Sequence, residues 1–148
     1  MKIYLATDHA GFELKENIKK FLAIAKYEII DLGAFAYNEN DDYPDFIEPL
    51  AKEIEHDLKA GEESKGIIFG GSGEGEAMVA NRTDGVRATV YYGGSKDIIK
   101  LSREHNNANV LSLGARFVSA QEAQEAVTLW LTTPFTGEDR HIRRIMKF

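Results

Sequence analysis

Gly70-Gly71-Ser72-Gly73-Glu74-Gly75-Glu76 joins an apolar, β-rich run to a helical pattern. Glycine lets backbone approach a ligand closely and take φ > 0. The N–H groups of a helix start then face that ligand and favour negative charge. A phosphate or an oxyanion is the natural occupant, and a plain tight βα turn is the bland alternative. No Gly-Lys-Ser/Thr follows, so this is not a P-loop. The pattern is G-x-G-x-G after a third strand, which is not the dinucleotide fingerprint either.

Asp8-His9 closes the first strand-like run, Lys2–Thr7. An acid beside an imidazole at a strand's carboxyl end suits proton transfer or anion binding. Asp8 equally suits capping of the next helix. His105-Asn106 ends a helical segment, where the dipole favours histidine and a left-handed cap favours asparagine. Arg140, Arg143 and Arg144 with His141 form the one basic cluster. Arg140 and Arg144 share a helix face and grip phosphate well as guanidinium groups. Compensation of the helix dipole is the competing role.

The elements around these residues alternate. Strand-like runs are Lys2–Thr7, Tyr27–Leu32, Gly66–Phe69, Val86–Tyr92 and Asn109–Leu113. Helical spacing covers Gly11–Ala25, a segment starting at Pro44, Glu76–Arg82, Ile98–Glu104, Ala120–Leu131 and Asp139–Met146; residues 34–43 are a polar loop. Repeated β-α units predict a single three-layer α/β/α domain over 1–148, with a five-stranded parallel sheet of flavodoxin or Rossmann type. Ligands bind such sheets beyond the strands' carboxyl ends. That rule singles out Asp8-His9, Gly33, Gly70–Glu76, Tyr92–Ser95 and Gly114–Arg116.

The 148 residues carry a net charge of −6 and no cysteine. Disulfides, thiolate metal sites and cysteine nucleophiles are therefore excluded. The acidic balance argues against nucleic acid or an anionic membrane as partner. Residues 1–30 hold no signal-peptide pattern and no apolar run reaches membrane-span length, so a cytoplasmic location is expected. The four histidines, His9, His56, His105 and His141, lack metal-ligand spacing; no metal and no cofactor are expected.

Taken together, these residues resemble the type B ribose-5-phosphate isomerase family, which also includes the galactose-6-phosphate isomerase subunits. The matching pieces are Ala6–Phe12, Asp42-Tyr43-Pro44, Gly70–Gly75, Ala80-Asn81-Arg82, Gly85–Ala88, Ser102–Asn109, Gly114–Arg116 and Arg140–Arg144. The resemblance implies a flavodoxin-like sheet order and aldose–ketose isomerisation through a cis-enediolate. It implies a homodimer or dimer of dimers whose sites lie between subunits, with the C-terminal helix, about 138–148, contributing. Asp8 and His9 would touch the sugar and its phosphate. Gly71, Ser72, Gly73, Glu74 and Gly75 would cradle the enediolate, Asn106 would orient a hydroxyl, and Arg116, Arg140 and Arg144 would hold phosphate. Arg140 and Arg144 would come from the partner. Many members place a cysteine base at the position of Gly70. A second branch has Gly-Gly-Ser-Gly-x-Gly-Glu with the final glutamate as base, and this chain matches it, which makes Glu76 the expected base and Glu74 its competitor. Ring opening falls to His105 or Asp8. Ribose 5-phosphate is the expected substrate. The alternatives are another sugar phosphate (a hexose such as allose or galactose 6-phosphate, or a tetrose) or a non-catalytic sugar-phosphate- or flavin-binding module.

Overall fold

A computed structural model describes residues Met1–Phe148. Five strands, β1 (Lys2–Thr7), β2 (Glu28–Asp31), β3 (Ser64–Gly70), β4 (Ala88–Tyr91) and β5 (Val110–Gly114), form one parallel sheet. Six α-helices, α1 (Phe12–Ile24), α2 (Pro44–Ala60), α3 (Glu74–Ala80), α4 (Asp97–Asn106), α5 (Ala120–Thr132) and α6 (Asp139–Ile145), accompany it.

The central strands are apolar on both faces because helices cover both. Ile3, Leu5, Ile67, Phe69, Leu111 and Leu113 pack with Leu14, Ile18, Val127 and Trp130 of α1 and α5. Tyr4, Ala6, Ile68 and Val110 point the other way, onto Ile47, Leu50 and Ile54 of α2 and Ala80 of α3. Side chains alternate across a strand, so a continuous apolar run is what a doubly covered parallel strand requires.

The strand order is β2-β1-β3-β5-β4. This corrects the flavodoxin order, 2-1-3-4-5, in its last two strands. The burial of the two strands matches this order. All of β5, Val-Leu-Ser-Leu-Gly, is buried, whereas β4 is half-buried over Ala88–Val90 and suits an edge. The exchange has a functional consequence: β1, β3 and β5 become neighbours. Their carboxyl ends bring Asp8-His9, Gly70–Glu76 and Gly114–Arg116 side by side, while Tyr92–Ser95 is left at the rim.

The glycine loop is two residues shorter than its pattern implies. Gly73, at φ 83°, is the N-cap of α3, which begins at Glu74 rather than Glu76. No helix is long and apolar enough to cross a membrane.

Candidate active site

The end of β1 is built tightly. Thr7 Oγ1 donates to the Phe69 carbonyl at 2.9 Å, tying β1 to β3. A β-carbon on Gly11 would lie 2.4 Å from Thr7 Oγ1 and 2.5 Å from Phe69 Cβ, so only glycine fits under this turn. Asp8 caps the short 3-10 turn His9–Gly11 by accepting from the Ala10 N–H at 2.9 Å. The capping carboxylate is itself buried at the end of β1.

The glycine loop is held from below by β5. Ser112 Oγ donates to the Gly73 carbonyl at 2.6 Å, and a β-carbon at Gly73 would sit 2.8 Å from that hydroxyl. The Ala115 N–H donates to Gly70 O at 2.8 Å and the Arg116 N–H to Gly71 O at 3.1 Å. These bonds lay the Arg116 guanidinium over Gly71, 3.1 Å from where its β-carbon would be. Tyr43 closes the other side against Gly75. Ser72 Oγ accepts from the Glu74 N–H at 3.3 Å, so the hydroxyl faces the helix start.

Two positions apart on a helix, Glu74 and Glu76 point to different sides. Glu74 is exposed and Glu76 is 4% exposed. Burial, with the Asp8 charge adding to it, pushes the Glu76 carboxyl above its ordinary range; its own backbone N–H opposes the shift. A carboxylate with a raised pKa beside a glycine-rich loop is suited to taking a proton from carbon.

His9 is clamped by a residue that sequence reasoning missed. Asp41 Oδ1 accepts from the His9 N–H at 2.9 Å and lies 2.7 Å from Nδ1. Hydrogen bonding to Asp41 raises the His9 pKa against the cost of burial. Asp41 lies among Asn38-Glu39-Asn40-Asp41-Asp42, and nothing in that polar run distinguishes it. His9 and Arg116 line a cleft of about 520 Å³ together with Glu13, Asn17 and Tyr37. Sequence spacing indicated no metal-ligand cluster, yet the fold brings ligand-type atoms of Asp8, His9 and Asp41 within 4.8 Å of one another. Much of their capacity is spent internally, on the His9–Asp41 pair and on Ala10.

His105, Asn106, Arg140 and Arg144 do not join this cluster within one chain. α4 returns antiparallel to the sheet, so its C-terminal residues lie near the start of β5, where Val110 pairs with Gly66. Gly66 is four residues before Gly70, roughly 13 Å along the strand from the glycine loop. The α6 segment is anchored there: Thr136 Oγ1 donates to Glu104 O at 2.8 Å, and the His105 and His141 rings stack at 4.3 Å. Burial foremost, and the neighbouring His105 next, lower the His141 pKa. Arg140 is bonded to Glu138 at 2.8 Å, and Arg144 is exposed. The two groups of residues therefore lie at opposite ends of the same sheet.

A family model described as Ribose/Galactose Isomerase matches residues 3–148. Ribose-5-phosphate isomerase B of Mycolicibacterium paratuberculosis is 41% identical over 145 residues, 98% of this chain and 87% of that protein. The crystal structure of ribose-5-phosphate isomerase B from Mycoplasma genitalium with bound ribulose-5-phosphate is similar at a TM-score of 0.90 and 38% identity, covering 99% of this chain and 92% of that one. The isomerase B structure from Clostridium thermocellum gives 0.89 and 41%, covering 99% and 94%. Sequence and fold agree over nearly the whole length, and the chain belongs to the ribose/galactose isomerase family.

Proposed function

We propose that this protein interconverts ribose 5-phosphate and ribulose 5-phosphate through a cis-enediolate, with Glu76 as the base. One observation carries the assignment: the buried Glu76 carboxylate lies directly against Gly70, at the head of the glycine loop. The activity named for its relatives is the same. In the forward direction Glu76 takes the C2 proton of the open-chain aldose. Backbone N–H groups of Gly71–Gly75, with Ser72, stabilise the charge that develops on oxygen. Glu76 then returns a proton to C1. The net change moves one hydrogen from C2 to C1 and one proton from O2 to O1. No step calls for a metal or a redox cofactor, so chelation should leave turnover intact.

His9 and Arg116 bind the phosphate in the cleft. The second half-site, His105, Asn106, Arg140 and Arg144, serves this loop from another subunit of a homodimer. Its place at the far end of the sheet supports that arrangement. So do Ile142, Met146 and Phe148, exposed by 40%, 80% and 81% in the isolated chain. Apolar surface of this kind is better covered by a neighbour than left in water. His105 from the partner, or Asp8, opens the sugar ring. We place this reaction in cytoplasmic pentose phosphate metabolism, in keeping with a substrate whose charge keeps it from crossing membranes.

The test is a panel of pentose, hexose and tetrose phosphates in deuterated water. Ribose 5-phosphate should show the highest kcat/KM and take up deuterium at C2. A better hexose or tetrose phosphate would reassign the substrate, and tight binding of all with no turnover would make this a binding module.

A further inference from the structure

We propose that Asp41 is a positioning residue: its carboxylate orients the His9 ring and keeps Nε2 a hydrogen-bond donor to the substrate's phosphate. The proposal rests on reading the His9–Arg116 cleft as the phosphate site.

The geometry leaves few options. One oxygen of Asp41 serves both the His9 backbone N–H, at 2.9 Å, and the ring Nδ1, at 2.7 Å. An ionised carboxylate only accepts, so Nδ1 carries a hydrogen. The nitrogen left for the cleft is Nε2. In a neutral ring with Nδ1 protonated, Nε2 is an acceptor and repels phosphate oxygen. It becomes a donor only in the imidazolium. Asp41 favours that form, because its side chain is 9% exposed and its Oδ2 has no partner at all. A nearly buried carboxylate with an idle oxygen demands a neighbouring positive charge. His9 is the cation-capable group paired with it.

The other groups facing His9 divide. Asp8 Oδ2, 3.9 Å from Nδ1, favours the imidazolium; Arg116 and burial oppose it, and Tyr37 meets the ring edge-on at 6.1 Å. Glu13 lines the same cleft. The Asp41 hydrogen bond is the largest of these influences, and their net effect raises the His9 pKa. A phosphate then meets two cations, a fixed one on Arg116 and a titrating one on His9. Asp41 belongs to the 34–43 loop, so that loop enters the site through its hold on His9.

The test uses the whole protein, with Asp41→Asn and Asp41→Ala. Asparagine keeps an oxygen for Nδ1–H and removes the charge. NMR of the histidine ring protons, with His9 assigned from a His9→Gln variant, reads the ring directly. His9 should titrate at lower pH in both Asp41 variants than in the parent. Inorganic phosphate should raise its midpoint most in the parent. With ribose 5-phosphate, KM of Asp41→Asn should exceed the parent's by about fivefold at pH 8, the difference between a charge-assisted and a neutral hydrogen bond, with the excess shrinking toward pH 6. An unchanged His9 midpoint overturns the proposal, as does a KM increase that is the same at every pH. The phosphate titration decides the role of Asp41 even if no sugar phosphate is turned over, so the two readings fail separately.

Discussion

The Glu76 carboxylate occupies the space beside Gly70 that a side chain at that residue would fill. A β-carbon built on Gly70 would lie 1.9 Å from Glu76 Oε1 and 2.3 Å from Oε2. In the family this chain resembles, many members carry a cysteine base at the Gly70 position. Here the Glu76 carboxylate reaches nearly the same point from the first turn of α3, and the glycine at the end of β3 makes room for it. Residues 70 and 76 are thus alternatives for one volume, and a large side chain at both is sterically excluded.

Replacing Glu76 by glutamine should keep the size of the group and remove the basic oxygen. Turnover should fall by about 10²–10⁴-fold, the worth of a positioned general base, while substrate binding persists. Deuterium exchange at C2 should disappear with turnover. Glu74→Gln should cost far less, since Glu74 is exposed on α3. Ser72→Ala should fall between the two. Near-normal turnover of Glu76→Gln beside a collapse of Glu74→Gln would move the base to Glu74.

The same substitution should stabilise the fold at neutral pH. Glu76 has a raised pKa through burial and through Asp8, so the folded protein binds its proton more tightly than the unfolded chain does. Its ionisation therefore opposes folding once the pH exceeds the ordinary carboxylate value, 4.5, and passes through the raised one. Glutamine does not titrate and escapes this penalty. Thermal unfolding should show a higher Tm for Glu76→Gln near pH 8, with the gap closing toward pH 4. A gap that widens in acid would contradict the burial account.

Much of this site was legible in sequence because it follows strand ends. Asp8-His9, Gly70–Glu76 and Gly114–Arg116 each terminate an apolar run, and the rule that ligands bind there needs only the run boundaries. Strand order was not legible in the same way. Which of β4 and β5 is central depends on burial against α4 and α5, a tertiary property that short apolar runs do not encode. Nor was Asp41 visible. It acts on His9 across 32 residues of separation, and its neighbours in the loop are equally polar. The placement of His105 and Asn106 needed one further step, the direction of α4 against the sheet, which puts them at the wrong end for their own subunit's loop.

That direction predicts complementation between subunits. Arg140→Ala or Arg144→Ala should raise KM roughly tenfold or more, by loss of a charge-assisted bond worth about 1.5–3 kcal/mol. A heterodimer of Arg140→Ala with Glu76→Gln subunits contains one site with both defects and one with neither. Mixed, purified heterodimers should regain about half of the parent's kcat/KM per dimer, since sites work independently. Sedimentation should find dimers or larger at micromolar protein. A fully active monomer, or heterodimers with no regained activity, would place the arginines in their own subunit's site.

The shared volume at residues 70 and 76 also allows the base to be moved. Gly70→Ala alone should push the Glu76 carboxylate aside, because its oxygens lie well inside contact distance of the new methyl, and turnover should drop sharply. Glu76→Ala alone should be nearly inactive, with an empty space where the carboxylate was. Combining Glu76→Ala with Gly70→Cys should put a thiol into that space. The chain has no other cysteine, so regained activity that is lost on thiol alkylation belongs to that thiol acting as the base. A thiol ionises at about pH 8.5 when unperturbed, so activity of the double variant should climb further into alkali than that of the parent. Iodoacetamide should abolish it and leave the parent untouched. Gly70→Ser with Glu76→Ala fills the same space without an ionisable base and should stay inactive. If the thiol is alkylated at a normal rate and the double variant turns over no faster than Glu76→Ala, the space beside Gly70 is not where the proton is taken.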